Sequence, residues 1–287
     1  MTDPKWARPT SNGRFYEDPA QPGKLYVSAT NVLDKMVAIH ALAPSAADLT
    51  ARYGMDHLDE ALQAAADPEA REAFIGKAKR HYENVWEKRR DLGSKVHAAA
   101  EAHVLGGENR HAADPEVKPF LGQYLRFLDE YQVDLRKDVE AVECTALHRG
   151  RGYGCTTDLW AHLQPEEPHP AGRWIIDIKT SLTKPASQVY PQMALQLAAN
   201  RFAEVALDPF DKEFPVPEFV GAAILNLRPW SYGFIPMPAD HNAYRAFVSL
   251  LPAVAWLDAL DLKPHKPINP KWRKPRNWDK KQKEVAA

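Results

Sequence analysis

Two short apolar segments carry acids at positions where a strand would ordinarily bury Val or Ile. The first is Gly154-Cys155-Thr156-Thr157-Asp158-Leu159-Trp160, and the second is Trp174-Ile175-Ile176-Asp177-Ile178-Lys179-Thr180. The turn-rich stretch Gln164-Pro165-Glu166-Glu167-Pro168-His169-Pro170-Ala171-Gly172 separates them, so the spacing predicts an antiparallel hairpin. Alternation along a strand puts Asp177 and Lys179 on one face, and Asp158 brings a second carboxylate from the partner strand. Holding such groups inside a sheet costs desolvation free energy that apolar residues would avoid. An Asp-x-Lys triplet by itself is most often a solvated strand edge or an ion pair. Here it stands in a run of Ile and Trp behind Thr157-Asp158-Leu159-Trp160. Two carboxylates beside a lysine suit a hard divalent cation and an activated water, the equipment for cutting phosphodiesters.

The rest of the chain bounds the fold. Its 287 residues suffice for one large domain. Hydrophobic content of 45% and charged content of 26% are those of a globular protein. No apolar run reaches membrane-spanning length and Met1-Thr2-Asp3-Pro4-Lys5 has no signal-peptide core, so the expectation is a cytoplasmic protein without a membrane partner. Cys144 and Cys155 read as small buried residues rather than a disulfide, and two cysteines cannot supply a four-cysteine iron–sulfur cluster. A net charge of −1 argues against nonspecific coating of nucleic acid. The basic residues are unevenly placed, however: Lys271, Arg273, Lys274 and Arg276 lie among Trp272 and Trp278, a mixture that suits strand binding as well as a solvated tail.

Periodicity predicts an extended arm over 1–24, a single domain over 25–262 with a helical N-terminal part, and a basic tail over 263–287. Helices are expected over 32–39, 46–53, 58–66, 69–106, 120–132, 187–205 and 240–260; strands are expected over 139–147, 155–163, 174–180, 219–227 and 232–236, with 25–30 a short strand or edge. The fold class is therefore α/β, a mixed sheet flanked by helices. Glu143 and Glu140 fall on opposite faces of one strand, and alternation does not choose between them. His97 and Glu101 share a helical face at i,i+4; His103 has an equal claim by periodicity. Gln192, Gln196 and Asn200 form an amide stripe able to hydrogen-bond a phosphate, a lysine or a base.

Gly93-x-x-x-His97, Glu143, Gly154-x-x-x-Asp158, Asp177-Ile178-Lys179-Thr180 and Gln196-Leu197-Ala198-Ala199 together resemble, in order, the motifs of RecB-like exonucleases of the PD-(D/E)xK superfamily. Tyr26-Val27-Ser28-Ala29-Thr30 followed by helices is similar to phage-type members. The resemblance implies a restriction-endonuclease-like core and a DNA exonuclease of recombination, repair or processing, with a recombinase, helicase or single-strand-binding protein as partner. It also implies that His97, Asp158, Asp177 and the Ile178 carbonyl ligate Mg²⁺ or Mn²⁺. Lys179 would then act on the water and the transition-state charge, Glu143 on the water or metal, and Gln196 on Lys179 or the strand. Members often carry Tyr where this chain has Asn200, and the four-cysteine cluster of some relatives is absent. The rival expectation is a DNA-end-binding recombination module with a decayed nuclease site.

Overall fold

The computed structural model describes residues 4–37 and 42–260. Its elements are, in chain order, β1 (Ala7–Thr10), β2 (Gly13–Glu17), β3 (Leu25–Ser28), α1 (Ala29–Met36), α2 (Leu42–Asp56), α3 (Leu58–Ala64), α4 (Pro68–Leu105), α5 (Lys118–Glu130), β4 (Val139–His148), β5 (Tyr153–Leu163), β6 (Gly172–Thr180), α6 (Pro191–Arg201), β7 (Val205–Leu207), β8 (Glu213–Pro215), β9 (Gly221–Leu227), β10 (Tyr232–Pro236) and α7 (His241–Ala259). The chain is a mixed α/β protein built on one mixed sheet of ten strands.

Alternation in the central strands sorts side chains onto two cores. Leu159, Ala161, Trp174, Ile176 and Ile178 pack with α4 and α5 through Val96, Phe120 and Phe127. Their neighbours Trp160 and Ile175 point the other way, onto α1, α6 and α7 through Val32, Leu197 and Phe247. Helix limits follow local chemistry. Ser28 Oγ caps α1 by accepting from Asn31 N at 3.0 Å. Asp67 caps α4 with Pro68 behind it, and Gly106 ends it in the left-handed conformation, as the sequence expects.

Three elements differ from expectation. Residues 7–17 are no free arm: β1 and β2 form a hairpin that joins the sheet through β3. The helix expected over 187–205 is confined to α6, because Pro191 fits only the first turn and Val205 already belongs to β7. The loop after Asp208 contributes β8. Arg149 ties these outer parts together, gripping Asp18 through Nε and Nη2 at 2.7 and 2.8 Å and Glu213 through Nη1 at 2.9 Å. The basic tail, with Lys271, Arg273, Lys274 and Arg276, lies outside the described residues. Among those described, no helix is long and apolar enough to cross a membrane.

The sheet has a gap that positions everything else. β4 pairs along one edge of β5. The opposite edge is shared: β3 takes Tyr153 and Gly154, and β6 takes Leu159 to Leu163. Residues 155–158 have no strand neighbour on that side. Close packing at the gap needs small residues. A Cβ on Gly154 would come within 2.7 Å of Tyr16, and one on Gly93 within 3.3 Å of Thr180 Oγ1, so α4 lies hard against β6 there.

Candidate metal centre

Backbone groups exposed by the gap must find partners elsewhere. Asp158 Oδ2 accepts from Ile178 N at 2.6 Å, replacing the ladder bond that the parted strands cannot make. The Ile178 carbonyl meets His97 Nε2 at 3.1 Å. Since a carbonyl only accepts, Nε2 must carry the proton. The other ring nitrogen, Nδ1, then faces Glu143 Oε1 at 3.3 Å and Asp158 Oδ1 at 3.5 Å. One donor atom each from His97, Glu143 and Asp158 lies within 4.8 Å of the others.

Asp177 and Lys179 project from β6 toward α6, on the same face as predicted. Their ion pair closes at 2.6 Å. Gln196 serves both: Nε2 donates to Asp177 Oδ1 at 2.8 Å, and Oε1 accepts from Lys179 Nζ at 3.4 Å. Asp177 is 3% exposed, whereas Lys179 keeps 32% of its side chain accessible, so the ammonium is the member that reaches the cleft.

Electrostatics follow from this crowding. Burial would lower the His97 value, but Asp158 and Glu143 outweigh it and raise the imidazole to about 10. Burial would raise Asp158, yet the His97 cation, Lys179 and the Ile178 amide hold it below the ordinary carboxylate range. Asp177 is pushed up to about 6 by burial and by Asp158, against the pull of Lys179. Lys179 is raised, because Asp177 and Asp158 overcome its burial.

These side chains line a cleft of about 310 Å³, with Arg14, Tyr16, Thr156, Arg89 and Arg90 on its walls. Sequence reading found His97, Glu143, Asp158, Asp177, Ile178, Lys179 and Gln196, and the fold brings all seven together. It separates Glu140, which is held by His162 and Arg173. It leaves Gln192 off the cleft wall, half-buried one turn before Gln196. Asn200 lines the cleft but is buried, and its Nδ2 donates to Thr156 O at 3.3 Å across the gap. Arg89 and Arg90 were not singled out as site residues, although Arg90 stands two helical turns before His97. Tyr16, whose hydroxyl meets Thr156 Oγ1 at 2.7 Å, comes from the misjudged N-terminal hairpin.

Neither the known family models nor the curated proteins include a match to this chain. A solved structure titled "Crystal structure of SSO0001" aligns with 57% of this chain and 74% of its own, at 12% identity and a TM-score of 0.28. So slight a likeness assigns neither fold family nor activity.

Proposed function

We propose that the protein is a divalent-metal-dependent deoxyribonuclease of the exonuclease type, acting in DNA recombination, repair or processing. The observation that carries this reading is the meeting of the His97–Glu143–Asp158 cluster with a partly exposed Lys179 in one cleft whose wall bears Arg14, Arg89 and Arg90.

The donor set fits Mg²⁺ or Mn²⁺. Glu143 and Asp158 offer hard oxygens, and one imidazole nitrogen makes Mn²⁺ at least as suitable as Mg²⁺. The Ile178 carbonyl engages Nε2, on the ring edge away from the carboxylates. That is the arrangement by which a ligating histidine is oriented through its second nitrogen. Ile178 is thus assigned an orienting role, and Asp177, whose oxygens face Gln196 and Lys179, a positioning one. A bound cation would polarise a phosphoryl oxygen and acidify a water. Lys179 would place its charge where negative charge grows on the phosphorus oxygens, and Gln196 and Asp177 would keep it there. The arginines on the wall would hold the flanking phosphates.

The test is digestion of end-labelled linear and covalently closed circular DNA with Mg²⁺, Mn²⁺ or EDTA, using wild type beside Lys179→Ala. Loss of linear DNA alone, with metal and in wild type only, is the expected result. Cutting of circles would make the enzyme an endonuclease. DNA binding without any cutting would sink the nuclease reading in favour of an end-binding module.

A further inference from the structure

α4 is 38 residues long, but its buried residues are Ala78, Leu92, Val96, Ala99 and Ala100, mostly in the half that faces the sheet. The N-terminal half carries α2 and α3, neither of which has a buried residue. Gly93 and His97 line the cleft from this helix, as do Arg89 and Arg90. Continuing outward along the same face, steps of three and four residues reach Arg90, Trp86, Tyr82 and Lys79. The stripe is therefore collinear with His97. It runs cation, ring, ring, cation: Lys79 and Arg90 are exposed, Tyr82 and Trp86 between them half-buried. The two rings meet edge to face, with centroids 4.9 Å apart at 68°. Glu83, at the stripe's margin, accepts from the Tyr82 hydroxyl at 3.3 Å.

An ordinary solvated helix face has no reason to place two large aromatic residues in register with an acid cluster three to four turns along the helix. A pair of rings flanked by cations suits a single nucleic-acid strand, since phosphates pair with the cations and unpaired bases stack on the rings. A duplex keeps its bases stacked inside and would use only the cations. We infer that the Lys79–Tyr82–Trp86–Arg90 face of α4 is a track that binds single-stranded DNA and leads its end into the cleft at His97. The inference rests on the nuclease reading for the direction in which the strand is led, but not for the binding itself. The run from His97 to Lys79 is about 27 Å at the helical rise, enough for about eight nucleotides at a stacked spacing of about 3.4 Å.

The experiment is binding of fluorescein-labelled oligothymidylates of increasing length, and of a blunt hairpin duplex, to the full chain in EDTA. Wild-type affinity is expected to climb with length up to about eight nucleotides. Trp86→Ala should weaken binding of the longer strands about tenfold, leave the hairpin duplex within about twofold, and recover most of the loss as Trp86→Phe. Arg90→Ala and Lys79→Ala, both at exposed positions that folding tolerates, should each reduce the slope of log affinity against log salt by about 0.7 for single strands. Unchanged strand affinity in folded Trp86→Ala, or equal loss for strand and duplex, would overturn the track. Should Trp86→Ala fail to fold, salt slopes unaltered in both cation variants would overturn it instead. The two readings part cleanly. A wild type that cuts nothing yet loses strand binding on Trp86→Ala keeps the track and loses the nuclease. A wild type that cuts while Trp86→Ala binds normally does the reverse.

Discussion

Glu143 sits at φ +46° in the middle of β4, a left-handed conformation that costs a residue other than Gly about 1–2 kcal/mol. That strain turns its carboxylate to His97. A register shift between Val139 and Ala141 lies just before it. Alternation could not choose between Glu140 and Glu143 because the strand stops alternating regularly between them. Asp158, Asp177, Lys179 and Gln196 were legible because they obey the periods of two and 3.6 without interruption. His97 was separable from His103 only once the position of the sheet's gap was known. Gln196 holds both members of the Asp177–Lys179 pair, so Gln196→Ala is expected to reduce cleavage by about 10–100-fold with little change in melting. Single-turnover rates on a labelled oligonucleotide would check this. Asp18 gives a prediction of another kind. Its carboxyl is held below the ordinary value by the Arg149 guanidinium, against the effect of burial. A depressed folded value means stabilisation that is present above the ordinary aspartate range and lost as pH falls through the folded value. Asp18→Asn should therefore cost about 2–3 kcal/mol at pH 7. The deficit should begin to shrink as pH falls through the unfolded value of about 3.9 and be gone below the folded value. Urea unfolding of both proteins across that range would show it.

At the scale of elements, the hairpin of β5 and β6 was readable from its acids, its turn residues and its apolar runs. The hairpin of β1 and β2 was not, although Ser11-Asn12-Gly13 carries a turn signal between the paired residues Thr10 and Gly13. The reason is burial: only Ala7 and Tyr16 in that hairpin are fully covered, so no strong apolar alternation marks it. Its anchorage is the contact of Tyr16 with Gly154. Gly154→Ala would drive a methyl into Tyr16, within 2.7 Å of its Cβ and 2.9 Å of its ring, and it is expected to cost about 1–3 kcal/mol through overpacking. The same change should reduce protease resistance of the N-terminal hairpin before that of the core. Limited proteolysis read by mass spectrometry tests the order of cleavage.

For the whole molecule, the class and the order of most elements follow from sequence, since long amphipathic helices and alternating strands announce themselves. Which sequence-distant strands adjoin was not legible, because the pairing of β6 with β9 and of β3 with β5 depends on partners far along the chain. A metal bound at the cluster stabilises the entire fold by mass action, by about 2.7 kcal/mol at a hundredfold excess over Kd. For a chain of this size, Mn²⁺ is expected to raise Tm by several degrees. The shift should disappear in His97→Ala and in Glu143→Gln. A wild type whose Tm ignores Mg²⁺ and Mn²⁺ would mean that the cluster is an ion-pair network alone.

The gap in the sheet also bears on how the chain is made. His97, Glu143 and Asp158 are synthesised well before β6 can be clamped, because the strand on its far side is β9, which ends only at Leu227. Until that strand has been made and has docked, Ile178 has no fixed place from which to receive Asp158 and orient His97. Whatever chemistry the cleft performs arrives late in synthesis and all at once, when the sheet closes.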